Sequence, residues 1–426
     1  MKKTKIDPQF KKIKKVLEFV WNSPYSSFYR DKYTKAGINL LKDINSMEDF
    51  KKLPFLTREE LVNVDPYDRF YFPKEKVKGV NFSGNTSGAK FVTILRAGLK
   101  NPATGFMVKK ALDLNIKCAM VILSETAFWA VQTRPVFRHP SILRCLGSVY
   151  DLEKAAKIVE ELKVEAIQAS PTILEHFVPY LKKQKLEDQI RYIALGGENC
   201  SLRQFRYFKK NFKNACFTFV YACAEAHVLG YTCEHLVNEE NLNIYHPLTA
   251  NCYLEVVNPE KESILAVTHV HTKMELPMIR YRTSDVAKLI EEDCPCGAKL
   301  KLKTLGRFGL NVLDVRGYLF SSEELEKAVS PFYKYCDSYF WKLYIYDYSN
   351  CKRLPRLKLQ LVSKKNLSVQ IKSQVTKEVS NNFCISRDDT LADLVKNKIF
   401  SPLEIEFIDS LGANLKHKPF TYYLDV

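Results

Sequence analysis

Glycine and proline are sparse in this chain, 15 and 18 among 426 residues, and neither is clustered. That excludes a collagen-like repeat and any low-complexity segment. Long hydrophobic runs are missing as well: none approaches the roughly 18 residues that a membrane-spanning helix needs. The best candidate, Cys118–Leu123, follows directly on Lys117. Behind the lysines of Met1-Lys2-Lys3-Thr4-Lys5-Ile6-Asp7 comes no apolar stretch, so no secretion signal is expected and the cytoplasm is the expected compartment. Three catalytic signatures are absent too: the Gly-Lys-Ser/Thr ending of a Walker A loop, the G-x-S-x-G elbow of serine hydrolases, and a G-x-G-x-x-G turn opening a helix after a strand.

What remains has the make-up of a globular protein, since 46% hydrophobic and 27% charged residues leave no case for disorder. The length exceeds what one hydrophobic core organises, so at least two domains are expected. Twelve cysteines without a secretion signal read as reduced thiols, most of them buried. The formal charge of +17 is carried by lysines spread along the whole chain, with no zinc-finger, RRM or KH pattern beside them. Nucleic-acid binding is therefore not expected; a basic surface also suits phosphorylated small molecules or an acidic carrier protein.

Apolar spacing places helices before and after Pro24, carried by Ile13, Val16, Leu17 and Val20 and then by Phe28, Tyr29 and Tyr33. Further along, helices at Leu152–Leu162, Thr172–Leu181 and Leu202–Phe212 alternate with strands at Val164–Ala169, Ile190–Leu195 and Cys216–Tyr221. That alternation predicts an α/β domain with a largely parallel sheet. Past Gly306-Arg307 the pattern changes to a strand, a helix at Ser322–Ser330, strands at Tyr339–Tyr346 and Leu357–Val362, and a helix at Leu367–Val379. We therefore expect domains at 1–306 and 307–426, the second a small α+β unit.

Asn81-Phe82-Ser83-Gly84-Asn85-Thr86-Ser87-Gly88-Ala89-Lys90 gathers glycines, hydroxyls and a lysine in one turn. Its backbone N–H groups and hydroxyls suit a phosphate, although spacing alone would fit a plain surface turn equally well. This turn resembles the phosphate loop of the adenylate-forming superfamily through Ser83, Gly84, Thr86, Ser87, Ala89 and Lys90, and departs from it at Phe82 and Asn85. Three more segments follow in the superfamily's order: Gly196-Gly197-Glu198, Tyr221-Ala222-Cys223-Ala224-Glu225, and Arg280-Tyr281-Arg282-Thr283-Ser284-Asp285. Leu305-Gly306-Arg307 is similar to the Gly-Arg that opens the hinge. Ser23-Pro24-Tyr25, Leu53-Pro54-Phe55-Leu56-Thr57-Arg58-Glu59-Glu60-Leu61, Arg316-Gly317 and Cys294-Pro295-Cys296-Gly297 are similar to phenylacetate–CoA ligases in particular.

The resemblance implies an α/β adenylate-forming domain with mixed sheets, followed by a mobile α+β domain. It also implies a reaction: ATP and Mg2+ activate a small-molecule carboxylic acid, of the aromatic class that the family usually takes, and the acyl group passes to the thiol of CoA or of a carrier protein's phosphopantetheine. By this resemblance the backbone of Gly196, Gly197 and Glu198 lies against the adenine, Tyr221 and Ala222 flank it, Asp285 takes the ribose, and Glu225 holds the magnesium. The catalytic lysine is expected near the chain end, at Lys416 with Lys418 as runner-up, although a solvated basic turn reads the same way. Cys233, Cys294 and Cys296 with His235, or else His246, form a ligand set for a structural zinc. A homodimer is a further expectation. Glu125–Trp129 is a candidate acyl-pocket wall, while core packing suits its aromatics as well. The resemblance departs at Asn85, at Ala224 where a hydroxyl residue is usual, at Ser284, and at Phe308-Gly309-Leu310 where acidic hinge residues are usual. Those losses leave open a non-catalytic relative that binds nucleotide or only a partner.

Overall fold

The structure is a computed structural model, and it describes residues 7–83, 92–97, 105–122, 137–257, 263–308, 312–315, 318–335, 341–348, 353–363, 367–385, 389–409, 411 and 419–424. Its contacts divide the chain into two compact units. The first comprises Met1–Glu198 and Lys209–Lys303, and the second comprises Asn199–Phe208 and Thr304–Val426.

In the first unit, helix Pro8–Asn22 starts where Asp7 accepts a hydrogen bond from the Gln9 N–H and a proline occupies the first turn, which lacks a partner for that N–H in any case. Phe10, Ile13, Val16, Leu17 and Val20 are buried along one stripe of it. Ser23-Pro24 ends the helix, and Phe28–Lys35 forms the second helix expected from the spacing. Strands β1 (Gly79–Phe82) and β2 (Thr93–Arg96) make an antiparallel hairpin on their own.

The main sheet has eleven strands. Its parallel part contains β3 (Cys118–Ile122), β4 (Leu143–Gly147), β5 (Ala166–Ala169), β6 (Tyr192–Gly196) and β7 (Cys216–Cys223), in the order β4-β3-β5-β6-β7. Every residue of β3 is buried, as expected for a strand covered on both faces. Helices Leu152–Glu161 and Pro171–Lys183 make the crossovers and pack against each other. The sheet is parallel only this far. It continues through β8 (His227–Tyr231), β9 (Ile244–Pro247), β10 (Cys252–Val257), β11 (Ile264–His269), β12 (Tyr281–Glu291) and β13 (Leu300–Arg307), where the pairings β7–β8, β8–β9, β9–β13, β10–β11 and β11–β12 are antiparallel. The physical reason is connection length: once no helix intervenes between strands, the chain can only turn back on itself. The limit between the two units falls inside β13.

The second unit holds a hairpin of β14 (Val312–Val315) and β15 (Tyr318–Ser321), and a four-stranded sheet of β16 (Trp341–Asp347), β17 (Arg356–Val362), β18 (Glu404–Ile408) and β19 (Phe420–Leu424) in the order β18-β17-β16-β19. Helices Ser322–Val329 and Val369–Asn382 cover it. Phe320, Leu343, Leu359, Val379 and Phe383 are central to its core. Trp341 contributes both apolar area and an indole N–H that donates to the Glu326 carboxylate at 2.7 Å. Among the described residues no helix is long and apolar enough to cross a membrane.

Candidate functional site

Four of the sequence-selected segments meet within the first unit. Strand β6 ends in Gly196-Gly197. A Cβ on Gly196 would lie 2.7 Å from the Val220 carbonyl oxygen of β7, so the two backbones approach at a distance that only glycine allows. Gly197 follows at φ +92°, in the left-handed region. Glu198 then accepts a hydrogen bond from the Thr172 N–H at 2.7 Å, at the first turn of helix Pro171–Lys183. This carboxylate holds the turn by capping a neighbouring helix.

On the adjoining strand, the Tyr221 hydroxyl donates to the Asp285 carboxylate of β12, and both residues are buried. Asp285 is itself positioned by its N–H, which donates to the Thr283 hydroxyl at 3.1 Å, while that hydroxyl donates to the Leu265 carbonyl at 2.8 Å. The pair therefore joins the aromatic and acidic residues that were expected to touch adenine and ribose.

Strands β7 and β8 are a hairpin whose last pair is Cys223 with His227, which leaves Ala224, Glu225 and Ala226 as its tip. His227, the first residue after the tip, has φ +65°, in the left-handed region. Glu225 is buried, and its Oε1 lies 3.1 Å from Nη1 of Arg58. Arg58 reaches this point because Leu56 pairs with the start of β12: the Leu56 N–H donates to the Arg280 carbonyl and the Arg282 N–H to the Leu56 carbonyl. Arg280 fastens the same segment through the Leu53 carbonyl and by lying over the Phe55 ring at 4.0 Å. Burial, with Glu225 close by, raises the Tyr281 phenol well above its usual range.

The other candidates divide. Ser83 is buried, and its hydroxyl accepts from the Val92 N–H at 2.8 Å. Ala222 sits at a register shift in β7. Arg307 ends β13 and belongs to the second unit. Gly84, Asn85, Thr86, Ser87, Lys90 and the alternatives Lys416 and Lys418 lie outside the described residues, as do Glu125–Trp129, Gly309 and Arg316-Gly317.

A second constellation gathers Cys233, His246, Cys294 and Cys296, whose ligand atoms all lie within 4.8 Å of one another. Cys233 Sγ is 3.6 Å from Cys294 Sγ and 3.2 Å from His246 Nε2, and Cys296 Sγ is 3.3 Å from the same nitrogen. Sulfurs bound tetrahedrally to zinc at about 2.3 Å would sit roughly 3.8 Å apart, so this cluster has the size of a zinc site. His246 Nδ1 faces the Leu300 carbonyl at 3.4 Å, an arrangement that puts the ring proton there and turns the Nε2 lone pair toward the thiols. Burial lowers the His246 pKa and pushes the Cys233 thiol up to about 12. Of the two histidine candidates, His246 is the one within this group; His235 lies in a short 3-10 turn, with its Nε2 3.8 Å from its neighbour Glu234. One residue beyond the start of that turn, its side chain leaves the cluster, whereas β9 carries His246 into it.

Sequence reasoning missed the residues behind the hairpin tip. Arg96, His227, His269 and Glu275 are all buried. A lone arginine closing the apolar strand Thr93–Arg96 was the available signal, because a buried guanidinium requires partners.

No family model matches the chain. It is similar to the phenylacetate-coenzyme A ligase of Escherichia coli K12, 22% identical over 324 residues that span 71% of each protein. The enzyme of the same name from Thermus thermophilus is 22% identical over 307 residues, 68% of this chain and 66% of that one. Among solved structures, a 2-hydroxyisobutyryl-CoA ligase in its postadenylation state superposes with a TM-score of 0.73 at 14% identity, covering 97% of this chain and 89% of that one. ATP-bound MatB from Rhodopseudomonas palustris gives a TM-score of 0.54 at 11% identity, over 82% and 67% of the two chains. The chain has the fold of the adenylate-forming CoA ligases, and the resemblance to phenylacetate–CoA ligases seen in its short motifs runs through most of its length.

Proposed function

We propose that this chain is an acid–thiol ligase that uses ATP to activate a carboxylic acid, with aromatic acids as the substrate class and CoA as the acceptor. The observation that carries the reading is the meeting, in one unit, of the Gly196-Gly197 turn, the Tyr221–Asp285 pair and the buried Glu225. The relatives' names supply the acid and the thiol.

In the first step a carboxylate oxygen attacks the α-phosphorus of ATP, the bond to the β-phosphate oxygen breaks, and pyrophosphate leaves. In the second a thiolate attacks the acyl carbon, and AMP leaves with the electron pair of the C–O bond. Asp285, held by Tyr221, is placed to accept hydrogen bonds from ribose hydroxyls. Gly197 exposes backbone where a flat base can lie. Arg58 puts a positive charge beside Glu225, where phosphate charge must be balanced. A magnesium ion would supply further charge neutralisation on the phosphates. One carboxylate completed by phosphate oxygens and water is the donor set this ion takes, so Glu225 fits it. Residues 83–90, with Lys90, and Lys416 from the C-terminal unit complete the phosphate contacts in this proposal; Lys418 is the alternative.

A structural zinc held by Cys233, His246, Cys294 and Cys296 is part of the proposal. It would fasten the chain after β8 and strand β9 to the β12–β13 turn. Loading of an acidic carrier protein is the alternative second step, favoured by the +17 charge. A homodimer, a cytoplasmic location and a domain limit at 306/307 complete the reading.

The test is pyrophosphate release from Mg-ATP over a panel of aromatic and aliphatic acids, first without a thiol. Release with a few acids that is lost in Glu225→Gln supports the assignment. ATP binding without release for any acid favours a nucleotide-binding relative that does not turn over, and no ATP binding removes the site.

A further inference from the structure

We propose that Arg96 and His269 are positioning residues that hold Glu225 from both sides by gripping the backbone of the hairpin tip. Arg96 Nη2 donates to the Ala224 carbonyl at 2.7 Å. His269 Nε2 lies 3.2 Å from the Ala226 carbonyl. The two carbonyls that flank Glu225 are thus each taken by a different buried side chain, one from β2 and one from β11.

Both grips are themselves anchored. Arg96 Nη1 faces His227 Nε2 and lies 3.5 Å from Glu275 Oε2. Since arginine only donates, His227 Nε2 accepts and its ring proton sits on Nδ1. Glu275 is fixed in turn: its Oε1 accepts the Ala97 N–H at 3.0 Å and its carbonyl accepts the Tyr71 N–H at 2.8 Å. At His269, Nδ1 accepts the Met278 N–H at 2.8 Å, which places the proton on Nε2, the donor that the Ala226 carbonyl needs. Within the tip, the Ala226 N–H points to Cys223 Sγ at 3.3 Å.

Two features of the tip give such a grip a task. Ala224 carries no hydroxyl with which to fix the turn locally, and His227, directly after the tip, holds a left-handed conformation that is uncommon for a non-glycine residue. A buried guanidinium needs one acid for its charge, and Glu275 supplies it; the second nitrogen, spent on a carbonyl next to Glu225, sets the direction of that side chain. A carboxylate held in advance loses no free energy to reorganisation when charge arrives.

The inference rests on the nucleotide reading above. Its test compares ATP binding, by calorimetry, in magnesium and in EDTA for the wild type, Glu225→Gln, Arg96→Lys, Glu275→Gln, His269→Leu and His269→Gln, with the melting temperature of each. The expected result is a magnesium-dependent gain in the wild type that falls by roughly tenfold or more in Arg96→Lys and His269→Leu, since a carboxylate no longer held in one geometry binds the ion less well. ATP affinity in EDTA should stay unchanged in the Arg96, Glu275 and His269 variants, and His269→Gln, whose amide still donates, should recover part of the gain. Glu275→Gln acts on Glu225 only through Arg96, and it carries the test if Arg96→Lys does not fold. Folded variants that keep the whole gain, while Glu225→Gln loses it, overturn the clamp alone. A wild type with no gain overturns the nucleotide reading and the clamp together.

Discussion

His269 makes the stability of the first unit depend on pH in a way that one substitution isolates. Its imidazole is buried, which lowers its pKa from 6.5 to about 3; His271 and Arg96 nearby act in the same direction, and the bond to the Ala226 carbonyl opposes them. His227 and His271 face it with ring centroids 6.3 Å away. The folded state thus keeps this ring neutral while the unfolded chain takes up a proton below pH 6.5. Its contribution is complete above 6.5 and is lost as pH falls toward 3. At pH 5 the unfolded state gains about 2 kcal/mol from the proton, and the full loss below pH 3 comes to about 5 kcal/mol, at about 1.4 kcal/mol per pH unit. The perturbation is His269→Gln, which keeps a donor and cannot titrate. Urea unfolding at pH 8 and pH 5 should show the wild type losing about 2 kcal/mol more than the variant, since the other titrating groups cancel in the difference. Parallel losses in the two proteins would refute the account of a neutral, buried His269.

Three further outcomes are expected. Purified protein should hold one zinc per chain, and Cys233→Ser or His246→Ala should lose the metal and lower the melting temperature, whereas His235→Ala should leave both unchanged; elemental analysis and calorimetry decide. Gly196→Ala should drive β6 away from the Val220 carbonyl and weaken ATP binding at least tenfold, read by calorimetry, because the obstructing atom is backbone and cannot rotate aside. Trp341→Phe removes the donor to buried Glu326 and should cost the second unit about 1–3 kcal/mol in denaturant unfolding, with little change in nucleotide affinity.

Local chemistry made much of the fold legible. Pro24 splits two helices, and helix–strand alternation from residue 152 onward gives β5, β6 and β7 of the parallel part, while β3 and β4 were not read from the sequence. The antiparallel part was not legible, because short strands such as Ile244–Pro247 carry too few residues for a pattern. Nor was the partition that sends Asn199–Phe208 to the second unit, since a helix buried on one stripe does not say which core it faces. At the site, Tyr221 and Asp285 were named from short motifs, and their direct hydrogen bond gives the pairing a physical basis. Among the zinc candidates, spacing in sequence could not choose between His235 and His246, because the choice depends on where β9 lies across the sheet. Arg96 and His269 stayed hidden for a related reason: the contacts that tie them to the tip are main-chain carbonyls, and a carbonyl looks the same in every residue.

If the shape of the hairpin tip is imposed through the carbonyls of Ala224 and Ala226, the half-buried side chain of Ala224 is released from holding the turn, whereas Ala226 stays confined to small residues by its own burial. Part of what specifies the turn then lies at residues 96 and 269, far off along the chain. The letters around Glu225 name the carboxylate, and those at 96 and 269 say how it is held.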